Sequence, residues 1–309
     1  MPSTVSPATV AGGVRPNPTG LGPLQRFVDA EDVHEVMVVG GGHVFVEGPL
    51  GIRAVEPVTA EQVSLIIELI TRFSGRRVDI MSPVADVHLP DGSRACIVVP
   101  PVAVDGPTIN IRKFPRSVLP LTSFTDEHGA RRLRDHVSAR RNIVVCGATS
   151  SGKTSLLASL VRWVPARERL VIIEDTTELP LDHPHMVRLQ TRPANVDGAG
   201  EVTAQQLVRT SMRLRPDRLI VGEVRGGEVV DMLLALTSGH DGCMTTVHAR
   251  SVDDGLHRLA SLALRDNGQF PHDVLVDLVH RAVDVVVHVE RTPDGKRRIV
   301  DMRHLTHDG

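Results

Sequence analysis

At 309 residues the chain has room for two domains, and 41% hydrophobic with 23% charged residues makes it core-forming rather than disordered. Six Phe, one Trp and no Tyr leave Val, Leu and Ile to fill that core. A net charge of −2 excludes an overall pull toward nucleic acid or anionic lipid, three scattered cysteines suit a reducing compartment rather than a disulfide framework, and no apolar run reaches membrane-spanning length.

Residues 1–20 are rich in Pro, Ser, Thr and Gly, without a basic start or an apolar stretch. They read as a disordered lead and not as a signal peptide. Residues 21–114 read as a small α+β domain. Segments 33–39 and 43–47 flank Gly40, Gly41 and Gly42 as a hairpin, and residues 59–73 place Val63, Ile66, Ile67 and Ile70 on one helical face. Segments 84–89, 94–99 and 108–111 are strand-like, with Pro90-Asp91-Gly92 and Pro100-Pro101 between them. Residues 115–129, with two prolines and several hydroxyls, read as an interdomain linker.

From 130 to 309 strand and helix alternate. Strands are expected at 142–146, 170–174, 218–222 and 243–247, and helices at 152–164, 203–213, 226–238, 252–265 and 272–282. That rhythm predicts a parallel sheet with helices on both faces. A last pair of strands, 283–290 and 297–305, is joined by Pro293-Asp294-Gly295-Lys296 as a hairpin.

Residues 147–154 read Gly-Ala-Thr-Ser-Ser-Gly-Lys-Thr, a complete G-x-x-x-x-G-K-[ST] loop between an apolar strand and a helix that Pro165 stops. Gly147 and Gly152 allow backbone angles and approaches that a Cβ would block. Ala148, Thr149, Ser150 and Ser151 carry the amides that wrap a phosphate, assisted by the positive end of the following helix, and Ser155 continues the stretch. Lys153 supplies a point charge for the β/γ oxygens, and the hydroxyl of Thr154 suits Mg²⁺.

Hydrolysis also needs carboxylates, and these are expected where strands of an open α/β sheet end. Glu174 closes Leu170-Val171-Ile172-Ile173 and is placed to orient an attacking water; Asp175 stands beside it. Glu223 closes Leu219-Ile220-Val221-Gly222, a Walker-B-like strand. Thr154, Glu223 and Asp175 are therefore the candidate metal ligands. His240 and His248 bracket a glycine turn and a short strand; an imidazole there can report a γ-phosphate or serve structure alone. Arginines complete the set: Arg112 and Arg116 beside the linker, Arg188, Arg192, Arg209, Arg213 and Arg215 between the acidic segments. A guanidinium fork suits phosphate, and one reaching a neighbouring subunit acts as a finger. Arg131, Arg132 and Arg134 read as plain helix surface.

In order, these segments resemble the type II/type IV secretion ATPase family, the traffic ATPases. The loop 147–154 matches its Walker A, 173–178 its Asp box, 219–223 its Walker B and 237–248 its His box. The segments Leu89-Pro90-Asp91-Gly92-Ser93-Arg94, Thr191-Arg192-Pro193 and Leu214-Arg215-Pro216-Asp217-Arg218 are similar to the branch that builds Flp/Tad pili and includes conjugal-transfer ATPases. The resemblance spans residues 21–305. It implies a RecA-like P-loop ATPase domain with a smaller N-terminal α+β domain, ATP and Mg²⁺ as cofactors, nucleotide held between the two domains, and a homo-hexameric ring. It further implies a cytoplasmic protein, peripheral at the inner membrane through platform proteins, with no direct nucleic-acid contact. Within that frame Lys153 and Thr154 hold phosphate and metal, Glu174 activates water, and Glu223 supports the metal. His240 and His248 sense the γ-phosphate, and Arg112, Arg116, Arg209 and Arg213 form the clamp. Cys243 departs from the serine common in relatives. Two other classes share parts of the pattern: a RecA/helicase-like nucleic-acid motor, disfavoured by charge and by the lack of stacking aromatics, and a nucleotide-gated module without turnover, disfavoured by the intact acids.

Overall fold

A computed structural model describes residues 20–74, 77–114, 117–194, 198–265 and 270–305. Residues 1–19 of the expected lead, and Arg116, lie outside them. The chain separates into two units, Met1–Lys113 and Phe114–Gly309.

The first unit contains α1 (Gln25–Asp29), β1 (Glu35–Val39), β2 (His43–Gly48), β3 (Gly51–Val55), α2 (Ala60–Ser74), β4 (Val84–His88), β5 (Arg94–Val98) and β6 (Thr108–Arg112). The strands form an antiparallel sheet in the order β3-β2-β1-β6-β5-β4. Alternation does the sorting: Val36, Val38, Val44, Val46, Ala95, Ile97, Ile109 and Ile111 face a core that Val63, Ile66 and Ile70 of α2 close. β3 has no counterpart in the sequence reading. It is an edge strand with no buried face, held by backbone pairing to β2, so it carries no hydrophobic signal.

The second unit contains α3 (Glu127–Ser138), β7 (Ile143–Gly147), α4 (Lys153–Val161), β8 (Leu170–Glu174), β9 (Met186–Gln190), α5 (Ala204–Ser211), β10 (Arg218–Val221), α6 (Glu228–Thr237), β11 (Met244–His248), α7 (Val252–Ala263), α8 (His272–Ala282), β12 (Val285–Arg291) and β13 (Arg297–His304). The sheet order is β13-β12-β7-β11-β10-β8-β9, parallel except for β13. Val144 and Cys146 point into the core shared with α5, α6, α7 and α8, while Ile143 and Val145 point into the core shared with α3 and α4. The central strands β7, β8, β10, β11 and β12 bury both faces, which explains the unbroken apolar runs.

Two expectations change here. α4 is apolar nearly all round, with Leu156 to Val161 all buried, because it lies between the sheet and α3 rather than at a surface. The segment 115–129, expected as a linker, is packed in its described part. Leu121 and Phe124 are core residues, Ile299 N donates to Phe124 O, and Asp126 caps α3 through Gly129 N at 2.7 Å.

The end of the sheet opposite the phosphate loop is tied by two buried polar groups. Arg218, fully buried, pairs with Glu168 at 2.6 Å and donates to Val137 O. Asn142 donates through Nδ2 to Ala282 O and accepts through Oδ1 from Gly242 N and Cys243 N. The Arg218–Glu168 pair spans 50 residues of sequence and the other bonds more than 80, so these side chains fix the register of α3, β7, β10 and β11.

Candidate active site

The four strands β7, β11, β10 and β8 run parallel and adjacent, so their carboxyl ends bring Gly147, His248, Glu223 and Glu174 to one edge. There the loop 147–154 has the shape its sequence requires. A Cβ at Gly147 would collide with Val289 O and Ser151 Oγ, and Gly152 holds φ at +102°. Ser151 is buried, and its Oγ has no hydrogen-bond partner among the described residues. A buried orphan hydroxyl inside a glycine-edged turn at a helix start fits a phosphate oxygen. Ala148, Thr149 and Ser150 are exposed, whereas Thr154 and Ser155 are half-buried on the first turn of α4.

Lys153 is buried. Its Nζ donates to Ala148 O at 2.8 Å and meets His248 Nδ1 at 3.1 Å. An ammonium only donates, so Nδ1 is the acceptor and the proton of a neutral imidazole sits on Nε2. That nitrogen lies 2.6 Å from Glu223 Oε1. Burial, then the Lys153 charge, holds His248 below its ordinary pKa, which keeps this neutral tautomer. The other Glu223 oxygen receives Arg225, whose Nη1 reaches Asp175 Oδ2 at 3.2 Å. Lys153, His248, Glu223, Arg225 and Asp175 thus form one continuous polar chain.

Glu174 is buried, and one of its oxygens accepts from Glu178 N and Leu179 N, both at 2.9 Å. Burial pushes its carboxyl above the ordinary value against the pull of those amides and of Arg188. A raised, aimed carboxylate is what a general base near neutral pH requires.

Among the described residues no group of three His, Cys, Asp or Glu could hold a metal ion. Mg²⁺ takes one or two protein oxygens and completes its shell with phosphate and water. The oxygen donors on hand are Thr154 Oγ1, Glu223 and Asp175, with Arg225 bridging the two acids.

His240 is placed differently from expectation. It precedes β11, whose first residue pairs with Ile143, whereas the phosphate loop follows the far end of β7. Five parallel residues separate the two ends by about 13 Å. Within one chain His240 therefore cannot touch the loop that Lys153 serves, and its Nδ1 is buried without a hydrogen-bond partner among the described residues. The spacing between the two histidines hid this, because the strand between them carries them to opposite edges.

Arg209 pairs with Asp231 on α6 at 2.8 Å, and Arg213 is exposed just past α5. Arg112 is exposed at the end of β6 in the first unit, opposite Glu35 and Arg94. Arg188 donates to Leu179 O, and Arg192 to Gly200 O.

Sequence reasoning missed Arg225 and Glu228. Glu228 is buried and accepts from Arg225 N and Gly226 N, fixing the turn after Glu223. Their signal was available: a basic residue two positions after a strand-end acid, then two glycines and a helix start.

The sequence profile of the Type II/IV secretion system protein family matches residues 17–307. The chain belongs to this family. Among curated members, a Mycobacterium tuberculosis protein whose name assigns it to conjugal transfer is 37% identical over 300 residues, covering 93% of this chain and 85% of that one. The type IV secretion system protein VirB11 of Brucella suis is 35% identical over 313 residues, covering 90% and 87%. Among solved structures, the Brucella suis VirB11 ATPase in complex with sulphate is 32% identical, with a TM-score of 0.51 and coverage of 93% and 94%. The Legionella pneumophila ATPase DotB, 17% identical with a TM-score of 0.67 over 96% and 83%, shares the fold. The family's RecA-like architecture is the one that the resemblance implied, and its parallel sheet with helices on both faces is the one read from the alternating strands and helices.

Proposed function

We propose that this family member is a Mg²⁺-dependent ATPase that works as a homo-hexameric motor, powering type IV secretion, conjugal transfer or pilus assembly. The reading places it at the cytoplasmic face of an inner membrane, working through platform proteins there; no helix among the described residues is long and apolar enough to cross a membrane. The observation that carries it is the joint placement of Lys153, His248, Glu223 and Glu174 at one sheet edge, with Glu174 buried and raised. Family membership supplies the context, since VirB11 is a type IV secretion ATPase by name.

Each residue has a task in that reading. The amides of residues 148–154 and the Ser151 hydroxyl receive phosphate, and Lys153 moves from His248 to the β/γ oxygens. Glu174 accepts a proton from the attacking water. His248 Nε2 stays beside Glu223, leaving Nδ1 free once Lys153 departs. Thr154, with Glu223 or Asp175, would hold the metal ion, which when bound neutralises charge across the phosphate oxygens. Arg209, Arg213, Arg112 and Arg116 are proposed as clamp residues acting on a neighbouring subunit's nucleotide, and His240 as a group acting at such a boundary or in structure only.

The domain assignment belongs to the same proposal: 21–114 as the N-terminal domain and 130–309 as the ATPase domain. The test is the steady-state ATPase rate across protein concentrations, with Lys153→Ala and Glu174→Gln alongside. A specific rate that climbs with concentration and collapses in both variants is expected. Turnover that persists in both would overturn the proposal.

A further inference from the structure

Beyond the loop, one arginine of the C-terminal hairpin is built into the same site. Arg297 opens β13, and its Cγ, Cδ and Nε lie against Gly152, where any Cβ would collide with them. Gly152 therefore serves two demands at once, its positive φ and the seat of this side chain. The Nε of Arg297 is buried with no hydrogen-bond partner, and no carboxylate pairs with Arg297 among the described residues. Across the hairpin its directly opposed residue is Arg291. Like charges set opposite on antiparallel strands are destabilising. Burial and Arg291 together press Arg297 below the ordinary guanidinium value.

A stem packed on the loop, an orphaned buried donor and a second guanidinium opposite are costly together for a surface residue, and each is relieved by one partner: an anion on the loop. Ser151 Oγ, buried and unpaired next to Gly152, faces the same need. We propose that Arg297 is a ligand for the phosphate chain of the nucleotide held by residues 147–155, so that the β12–β13 hairpin closes one side of the phosphate site. This rests on the reading of that loop as a nucleotide site. Arg291 acts by holding the charge density high and is a positioning residue.

The test uses the full chain and compares Arg297→Met, which keeps the stem, with Arg297→Lys, which keeps the charge. ATP, ADP and inorganic pyrophosphate are titrated against each by calorimetry, with thermal melting to verify folding. For Arg297→Met, affinity for all three is expected to fall on the order of tenfold or more, with partial recovery in Arg297→Lys. Unaltered affinity in Arg297→Met would reduce the side chain to packing on Gly152 and overturn the proposal. So would a loss for ATP with pyrophosphate unaffected, which moves the contact to the nucleoside. If the unaltered chain binds none of the three, the nucleotide reading falls with it; binding by the unaltered chain that Arg297→Met leaves intact sinks the arginine assignment alone.

Discussion

The ammonium of Lys153 lies 3.1 Å from Nδ1 of His248, and this single contact assigns the proton on the imidazole. A lysine cannot accept, so His248 is neutral and carries its hydrogen on Nε2, the nitrogen 2.6 Å from Glu223 Oε1.

His248 should titrate below its ordinary value, because burial and Lys153 oppose the charged form. Its contribution to stability is then complete above the unfolded-state pKa and is lost as pH falls from there toward the folded-state pKa. Proton NMR of the imidazole checks the order of effects. Lys153→Met is expected to raise the value and Glu223→Gln to lower it further. The reverse order would refute the tautomer.

Glu174→Gln is expected to leave folding intact while turnover drops by roughly 100-fold or more. The amide oxygen can still accept from Glu178 N and Leu179 N, and the cost of burying a charge disappears. In the unaltered chain, the acid limb of kcat should fall above the ordinary carboxylate range, since protonation removes the base and burial raises its pKa. For stability the sign is opposite to that of a salt-bridged acid. The raised group favours the fold most below its unfolded pKa, and that advantage fades as pH rises through the folded value.

His240→Gln should leave nucleotide affinity unchanged at dilutions where the chain is monomeric, because His240 stands at the far edge of the sheet. His248→Gln should weaken coupling at the loop and reduce turnover on the order of tenfold. Equal losses of affinity in both variants would contradict the assignment of the two edges.

Arg218→Ala should destabilise the second unit by about 3–5 kcal/mol, the usual cost of stranding one partner of a buried ion pair. Thermal melting with and without nucleotide measures it. Nucleotide affinity in the folded fraction should be unaffected, since Arg218 lies at the opposite end of the sheet.

Most of the second unit was legible because its strands bury both faces and its helices alternate with them. The run Leu170-Val171-Ile172-Ile173-Glu174 appears as β8 with the same limits. Legibility ended where an edge strand is held mainly by backbone pairing with few core side chains, as in β3 and β9, or where a polar stretch is packed through a few residues, as with Leu121 and Phe124. At the site, the strand-end acids were readable because sheet topology determines where they emerge. Arg225 and Arg297 were not. One acts by bridging two acids that are distant in sequence, and the other sits on a hairpin more than 140 residues beyond the loop it touches. His240 stands at the other end of β11 from the loop, a separation the motif did not reveal because it records order along the chain but not which end of a strand each residue occupies.

The chain of contacts from Lys153 to Asp175 gives ligand binding the character of an exchange rather than an addition. Before any anion arrives, the site's cations already lean on its own carbonyl, imidazole and carboxylates. An incoming polyanion must outbid these internal partners for Lys153, and a metal ion must do the same against Arg225 for Glu223 and Asp175. What each ligand displaces is then free to move, so occupancy at the loop is transmitted outward as a change of partners along β11, β10 and β8.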